Sequence, residues 1–493
     1  MRFAALPFAA LALLAGCVST TPYQKRGVER PHAPAVLLEE FERDRILQLD
    51  FEGQSIERFR KPDFSIGIVE FSEEGDVNPA QHQQVMELVR TELGHPDGAV
   101  LILFAHGWHH GCSTCDRDLR CFRSVLDALA SRELAERPLA PRKIVGVYLG
   151  WRGRRFRGDA DWLSIWDRKD RAEHIGRTGV KEFLNEVHRE WEKVHERTIM
   201  VSVGHSLGGV MLFAAVKERL TGWASDVFFG DDGPQRIVRT AEPRFGNGGA
   251  RAVRARFGDL VVLVNPALEA KEYRVFDDDL ADRRLAGLGP QELMARGYTP
   301  DRNLDYAPRQ LPVLITVASE QDRAVRRFFP LSRLLSGVDL LKNRRVFTSA
   351  DWRRALGHYA PYTTHELTYD GPAPQSERED GCACPERYDW RFSADEPEPL
   401  DVSQKISVRS AAAPGGAEGR QGTLTLAPVP ARDCEEGARC RGWDPGSPFL
   451  VVRTDETVIR HHNDIFNPIL VGFLVERLAE FEQSKRGRAE QAY

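Results

Sequence analysis

The sequence has no excess of positive charge and no apolar run long enough to cross a membrane as a stable helix. Its 493 residues include 68 lysines and arginines against 73 aspartates and glutamates, a formal net charge of −5. Domains that bind the phosphate backbone of nucleic acids are ordinarily basic, so nucleic acid is not expected as a partner. No segment approaches the roughly twenty apolar residues that a transmembrane helix needs.

Cysteine is also scarce, with eight residues in the whole chain. Cys434 and Cys440 are close enough in sequence for a local disulfide, whereas Cys382 and Cys384 are expected to pair with distant partners rather than with each other. This expectation applies to an exported chain, because disulfides persist in oxidising compartments. A Cys-x-x-Cys element at residues 112–115 leaves redox chemistry or zinc binding as the alternative.

Residues 1–16 predict a signal peptide rather than part of the fold. A charged start, Met1-Arg2, precedes an apolar stretch too short for a permanent membrane helix, and Leu14-Ala15-Gly16-Cys17 follows it. This tetrapeptide resembles the lipobox of bacterial lipoproteins, in which the cysteine is diacylated; an ordinary secretory signal is the alternative. Both predict export. The resemblance implies a lipid anchor on Cys17, and Val18 after it implies the outer membrane, facing the periplasm.

A tether is predicted between the anchor and the folded domain. Residues 17–48 mix proline, arginine and glutamate without sustained periodicity, which is typical of a linker. Residues 49–493 are then predicted to form one large domain, because their length suffices for a sizeable core with insertions.

Within this domain, short apolar runs alternate with segments of helical spacing. The runs at 99–105, 143–151, 198–203, 260–265, 312–318 and 449–454 predict buried strands, and residues 64–71 predict an edge strand. Helices are predicted at residues 80–93, 117–136, 171–196 and 468–483. Such alternation predicts an α/β fold with a mostly parallel sheet and helices on both faces. Ligands of these folds bind at the carboxyl ends of the strands.

Three insertions interrupt the alternating pattern. Residues 222–259 and 271–311 are rich in Arg, Asp and Gly and predict a cap. Residues 323–448 form the longest insertion and contain an alanine- and glycine-rich stretch at 411–416, which predicts a mobile loop.

The most informative stretch is Gly204-His205-Ser206-Leu207-Gly208, which stands between a buried strand and a buried helix. A chain that turns from strand to helix over three residues bends sharply, and glycine fits beside such a bend because it has no Cβ. Ser206 is thereby exposed above a helix N-terminus, whose free N–H groups favour negative charge. A strand, the Gly-x-Ser-x-Gly pattern and a helix together predict a nucleophile elbow.

On these residues the chain resembles a serine esterase or lipase of the α/β-hydrolase superfamily. The resemblance rests on the elbow, on His106-Gly107-Trp108 after an earlier strand, and on candidate catalytic groups in the order Ser, acid, His. It implies the α/β-hydrolase fold, Ser206 as nucleophile and an oxyanion hole formed by the backbone N–H groups of Trp108 and Leu207.

The base is expected in the loop after the last strand, where His461 and His462 are adjacent. His462 is favoured because His462-Asn463-Asp464-Ile465 resembles the motif that closes other exported bacterial hydrolases of this type. Asn463 and Asp464 are available to shape the loop, and His461 remains the alternative base.

The acid also has alternatives. Asp322 follows the strand at 312–318 and occupies the usual superfamily position, and it is the favoured candidate. Glu269 follows the preceding strand, at a position that some lipases use, and Glu320 is a weaker rival. Each of them could instead be a loop residue in a salt bridge.

Metal chemistry and cofactors are not expected. Three histidines lie at residues 106–110 and could be interpreted as a metal cluster, but no histidine or acidic helix motif accompanies them. A hydrolase with its own nucleophile needs no metal. Four arginines at residues 152–157 could receive an anionic substrate, although a solvated loop paired with acidic residues is favoured.

The sequence therefore predicts a lipid-anchored serine hydrolase of carboxylic esters, with envelope lipids among the candidate substrates. Acyl transfer to an envelope lipid or glycan is one alternative, because an alcohol can intercept the same acyl-enzyme. A non-catalytic envelope scaffold with the same fold is the other.

Overall fold

The computed structural model describes the chain from residue 46 to residue 490 with gaps. The described segments are 46–49, 55–60, 62–113, 116–153, 165–221, 257–274, 276, 311–328, 350–372, 384, 388, 390–394, 403–410, 421–430, 432–433, 439–440 and 448–490. The signal peptide, Cys17, most of the tether, both cap insertions in large part and residues 411–416 lie outside them. Within these segments, no helix combines the length and the apolar character needed to span a membrane.

The strands are numbered in the order in which they occur along the chain. They are β1 Ile46–Leu49, β2 Ile56–Arg60, β3 Asp63–Phe71, β4 Ala99–Ala105, β5 Lys143–Trp151, β6 Thr198–His205, β7 Leu260–Val264, β8 Leu314–Ser319, β9 His365–Asp370, β10 Trp390–Ala394, β11 Gln404–Ser410, β12 Gln421–Pro428, β13 Arg432–Asp433, β14 Arg439–Cys440 and β15 Phe449–Thr454. In the described residues, β13 and β14 form a separate ribbon, and the others form one sheet in the order β1-β2-β3-β5-β4-β6-β7-β8-β15-β9-β12-β11-β10.

The helices are numbered in the same way. They are α1 Pro79–Leu93, α2 Arg117–Glu136, α3 Ile165–Ile175, α4 Lys181–Glu192, α5 Leu207–Thr221, α6 Ala350–Arg353 and α7 Pro468–Glu490. A π-helical segment, Gly176–Val180, joins α3 to α4 where a single helix over 171–196 is predicted. The single-helix prediction is wrong because Thr178 has non-helical backbone angles (φ −111°, ψ −110°), which break the helix between two glycine-containing turns.

The mixed α/β class with a large, mostly parallel sheet is confirmed. Strands from β3 to β9 in the sheet order are parallel, and the pairs outside them are antiparallel. The central strand β4 is buried along its whole length, and its side chains alternate between two cores. Helices α1, α3, α4 and α5 contribute to one core, and α2 and α7 contribute to the other. The continuous apolar runs of the sequence therefore reflect burial on both faces.

The two ends of the sheet differ from the sequence expectations. The strand predicted at the edge, β3, lies inside the sheet, because β2 pairs with its outer side and β1 pairs with β2. β1 also extends into the region predicted as tether. At the other end, the long predicted insertion 323–448 supplies β9 to β12, which extend the sheet. These antiparallel strands were missed because only alternate residues, such as Leu424 and Leu426, are buried.

A disulfide joins α2 to a segment of the same long insertion. Cys384 is bonded to Cys121, 263 residues away in sequence, as expected for a distant partner. Cys112 is buried and forms no disulfide with another cysteine in the described part of the chain. The predicted disulfide between Cys434 and Cys440 stays a prediction, because Cys434 lies outside the described residues.

Candidate active site

The turn between β6 and α5 holds Ser206 in a left-handed backbone conformation. Its φ is +52°, which few residues other than glycine adopt. The turn is fixed by hydrogen bonds: the Ser206 N–H donates to the Val264 carbonyl at 3.0 Å, and the Ser206 carbonyl accepts from Val210 and Ala267. A strained residue persists where its surroundings hold it, and such residues concentrate at functional sites.

Gly208 permits the sharp bend. A Cβ at this position would lie 2.2 Å from the Ala105 carbonyl oxygen and 2.3 Å from that of His106. The first turn of α5 therefore packs directly against the end of β4. The elbow and the loop after β4 are thus close neighbours, as the sequence resemblance implies.

Ser206, His462 and Asp322 form a continuous chain of hydrogen bonds. The Ser206 Oγ lies 2.8 Å from His462 Nε2, and His462 Nδ1 lies 2.7 Å from Asp322 Oδ2. A carboxylate only accepts, so Nδ1–H donates to Asp322 and Nε2 accepts from the serine hydroxyl. Among the alternatives left open by the sequence, the structure brings together the favoured histidine and the favoured acid.

The Asp322 carboxylate is fully buried and is held in its charged form. Burial alone would raise its pKa, but attraction to His462, the hydrogen bond from His462 and a further one from the Val325 N–H keep the pKa below its usual 3.8. A buried anion at this position fixes the imidazole tautomer and stabilises an imidazolium.

The carbonyl of His462 is also fixed, by two residues that the sequence reasoning missed. It accepts hydrogen bonds from His205 Nε2 and from Asn265 Nδ2, each at 3.0 Å. The Asn265 side-chain oxygen in turn accepts from the Ser319 N–H at 2.9 Å. The base is therefore attached to the ends of β6, β7 and β8. Asn265 has a φ of +44°, which asparagine tolerates better than most residues.

The loop that carries His462 closes on Asp464. Its carboxylate accepts from the backbone N–H and the guanidinium of Arg460, at 2.7–2.9 Å, and from Asn467 Nδ2 at 3.2 Å. The expectation that Asp464 shapes this loop is met by these contacts. Asn463 contributes through its carbonyl, which accepts from Arg117.

The other candidates lie away from this chain of hydrogen bonds. His461 is exposed. Glu320 pairs with Arg453 at 3.0 Å. Glu269 is buried beside Lys169, with 3.0 Å between carboxylate and ammonium. Glu320 and Glu269 are thus both in salt bridges, which was the alternative to a catalytic role for each of them.

Replacing Glu269 by glutamine is expected to lower the free energy of unfolding by about 3 kcal/mol, because it removes the closer of two carboxylates beside the buried Lys169 ammonium and leaves only Glu173, at 3.9 Å. Any esterase kcat should stay within a few-fold of the original. Urea unfolding and kcat on a model ester measure the two effects. Glu272→Gln is the matched control: its pair with Lys217 is partly exposed, so the loss should stay below about 1 kcal/mol. A large fall in kcat at unchanged stability would instead indicate that Glu269 acts in the chemistry.

The loop after β4 is anchored beneath the elbow. His106 Nε2 accepts from the Trp151 N–H at 3.1 Å, while the Trp151 indole N–H donates to the His106 carbonyl at 3.0 Å. Burial lowers the pKa of His106, in keeping with its neutral role as an acceptor. A Cβ on Gly107 would lie 3.1 Å from the Ser206 Cβ, so this loop passes directly beside the serine. Trp108 follows at once.

In the described part of the arginine-rich loop after β5, Arg152 forms an ion pair. Arg152 contacts Glu73 at 3.2 Å, and Arg168 contacts the same carboxylate at 2.8 Å. Residues 154–157 lie outside the described segments. At Arg152, the structure therefore supports the prediction that the arginines of this loop pair with acidic residues.

Behind the acid lies a further histidine, His358, on the short turn Leu356–His358. Its Nε2 is buried and has no hydrogen-bond partner among the described residues. Burial lowers the pKa of His358 to about 4, against the opposing attraction of Asp322 and with added repulsion from Arg326, His462 and Arg354.

A loss of thermal stability between pH 6.5 and 4 is expected from this histidine. An unfolded histidine takes up a proton below about pH 6.5, whereas folded His358 resists protonation until about pH 4, so acid favours the unfolded chain across this window. The fall in Tm from pH 7.5 to pH 5 should be smaller in His358→Gln, measured by circular dichroism. The exposed His461→Gln is the control. An equal fall in His358→Gln and the original protein would contradict the prediction.

The fold and the site together define an α/β protein that carries a hydrogen-bonded serine, histidine and aspartate at the carboxyl edge of its parallel strands. The chain matches no protein-family model, no curated protein and no solved structure. A functional assignment therefore depends on the geometry of the site.

Proposed function

We propose that this protein is a serine hydrolase that cleaves carboxylic esters through an acyl-enzyme. The observation that carries the proposal is the chain of short hydrogen bonds from Ser206 through His462 to Asp322. Serine is a weak nucleophile while it holds its proton, and an adjacent base oriented by a buried anion removes this limitation.

In the proposed reaction Ser206 Oγ attacks the ester carbonyl while His462 Nε2 takes the hydroxyl proton. His462 then returns that proton to the leaving alcohol, and the acyl group remains on the serine. Water, deprotonated by the same nitrogen, attacks the acyl-enzyme; the bond from the acyl carbon to Ser206 Oγ breaks, the carboxylic acid leaves, and His462 returns the proton to Ser206 Oγ. Asp322 stays ionised throughout, since its low pKa matches the role of stabilising the imidazolium.

The oxyanion of each tetrahedral intermediate needs preorganised donors. Leu207 is the first residue of α5, and N–H groups in a first helical turn have no acceptor within the helix. Gly107 lies so close to Ser206 that a Cβ on it would be 3.1 Å from the Ser206 Cβ, and Trp108 is the next residue of this loop. We assign the oxyanion hole to the N–H groups of Leu207 and Trp108.

We further propose that the fold is the α/β-hydrolase fold. Three features support it: a serine elbow between β6 and α5, an acid after β8, and a histidine after β15. These groups follow the order serine, acid, histidine along the chain. We also propose that export and a lipid anchor on Cys17 would place the enzyme at the outer membrane, where envelope lipids are available as ester substrates.

Covalent labelling by a fluorophosphonate probe tests the proposal directly. The full chain should be labelled at Ser206, and Ser206→Ala should lose the label and the hydrolysis of model esters. Ser202→Ala is the matched control, because this buried serine on β6 has an Oγ without a hydrogen-bond partner among the described residues. A folded protein that the probe does not label would overturn the proposal. A chain-length series of model esters then identifies the preferred acyl group.

A further inference from the structure

The main-chain carbonyl of His462 is held by two side chains from neighbouring strand ends. Asn265, directly after β7, donates to it through Nδ2, and His205, the last residue of β6, donates to it through Nε2. Both donor–acceptor distances are 3.0 Å. A carbonyl oxygen has two lone pairs, so the two donors use its accepting capacity in full. We call these two donors the carbonyl clamp.

The orientation of the Asn265 amide is determined by its backbone partners. Its side-chain oxygen lies 2.9 Å from the Ser319 N–H, which can only donate, and its side-chain nitrogen faces the His462 carbonyl, which can only accept. Exchanging the oxygen and the nitrogen would place donor against donor and acceptor against acceptor. Asn265 is only 1% exposed, so water does not compete for either bond.

The second bond of Asn265 reaches the turn that carries the acid. Ser319 is the last residue of β8, and its carbonyl accepts from the Asp322 N–H at 3.1 Å. The Ser319 hydroxyl donates at 2.7 Å to the carbonyl of Ile459, in the loop that leads to His462. Asn265 therefore connects the segment of the acid to the segment of the base through one buried side chain.

The backbone at Asn265 explains why this residue type suits the position. Its φ is +44°, and its N–H donates to the Val317 carbonyl at 2.8 Å. Few residues other than glycine adopt such a φ, and asparagine is among the exceptions. The asparagine side chain also both donates and accepts, whereas an ionised aspartate only accepts and glycine does neither. Both properties are used here.

His205 supplies the second donor of the carbonyl clamp as a neutral ring. Burial lowers the pKa of His205, against the opposing attraction of Asp118, which lies 3.9 Å from its Nδ1. A neutral imidazole has one N–H, and the His462 carbonyl requires it on Nε2. Because His205 immediately precedes Ser206, the clamp connects the base to the segment of the nucleophile as well.

We propose that Asn265 and His205 are positioning residues for the proposed hydrolysis. By holding the main chain at His462, they place its imidazole between Ser206 and Asp322, at 2.8 Å and 2.7 Å. A displacement of about 1 Å at a reacting group can lower a rate about 100-fold. The expected effect on the rate rests on the proposed hydrolase function, whereas the expected effect on the bond between His462 and Asp322 rests on the geometry of the clamp alone.

Removal of the Asn265 side chain in the full chain tests the effect on the rate. Asn265→Gly keeps a residue that tolerates the left-handed backbone and removes both bonds of the amide. We expect kcat on a soluble chromogenic ester to fall about 10- to 100-fold, with KM within a few-fold of the original, because the change affects the base. The kcat is expressed per active serine, counted by saturating fluorophosphonate labelling. A purely structural role would lower the number of active serines and leave kcat per active serine unchanged.

Thr316→Val is the matched control for this variant. Thr316 is buried on β8, next to β7, and its Oγ1 has no hydrogen-bond partner among the described residues. The substitution therefore changes a buried polar side chain in the same part of the sheet but leaves the carbonyl clamp intact. Its kcat per active serine should equal that of the original protein.

Two variants at His205 test the other donor, and they decide the matter if circular dichroism shows that Asn265→Gly does not fold. Glutamine keeps an N–H donor at the end of the side chain, whereas phenylalanine keeps a ring without a donor. Both remove the nitrogen beside Asp118, so the difference between them isolates the bond to the carbonyl. The kcat per active serine should be about tenfold lower in His205→Phe than in His205→Gln.

Proton NMR provides a readout that needs no catalysis. The hydrogen between His462 Nδ1 and Asp322 lies in a short, charge-assisted bond and should give a strongly deshielded resonance, absent from His462→Gln. This resonance should weaken or move upfield in Asn265→Gly and His205→Phe, and stay unchanged in Thr316→Val.

Two results would overturn the inference: a resonance that is unchanged in both clamp variants, or a kcat per active serine in both that equals the value of the threonine control. A folded original protein that the fluorophosphonate does not label would instead overturn the hydrolase proposal. The resonance would then decide alone whether the clamp positions the histidine.

Discussion

His462→Gln is expected to lower kcat for ester hydrolysis by roughly 10⁵- to 10⁶-fold. Glutamine can still contact Ser206, but it cannot take the hydroxyl proton at neutral pH or return it to the leaving alcohol. Both the formation and the hydrolysis of the acyl-enzyme would lose their base. The measurement is kcat on a soluble chromogenic ester, together with the rate of fluorophosphonate labelling.

The neighbouring histidine supplies the control for this experiment. His461 is exposed and has the same chemistry one position earlier. His461→Gln should keep kcat within a few-fold of the original. If instead His461→Gln lost activity and His462→Gln kept it, the assignment of the base would have to be reversed.

Asp322→Asn is expected to lower kcat by about 10⁴-fold. An amide can donate to His462 Nδ1, which would stabilise the tautomer that carries its hydrogen on Nε2. That nitrogen could then no longer accept the serine proton. The buried amide would also fail to stabilise the imidazolium. A pH–rate profile and kcat on the same ester measure the effect.

Glu320→Gln is the matched acid control. Glu320 lies two residues from Asp322 but pairs with Arg453. Its loss should change kcat by less than a few-fold, and stability by less than about 1 kcal/mol, because the pair is partly exposed. Equal activity in Asp322→Asn and the original protein would show that another group orients the base.

The central part of the fold could be predicted from sequence because burial on both faces leaves an unmistakable pattern. β4 is apolar at every position, and the helix predicted at 117–136 matches α2 at both ends. The half-buried strands β11 and β12 have no comparable pattern. Their place in the sheet depends on the pairing of β12 with β9 and of β11 with β12, which no local periodicity reveals.

The favoured members of the candidate triad could be chosen from chain order, but their supports could not. Asn265 and His205 end neighbouring strands, and nothing in their own segments indicates that both bind the carbonyl of His462. The choice between His461 and His462 likewise depends on how Asp464 closes the loop. These contacts join residues up to 257 positions apart, and only the sheet topology brings them together.

The position of β15 has a consequence for when the protein can act. Among the described strands it is the last along the chain, yet it lies between β8 and β9 in the sheet, and His462 follows it. A growing chain would therefore contain Ser206 long before it contains His462. The proposed esterase activity should therefore begin only after β15 and the loop of His462 have been added to the sheet.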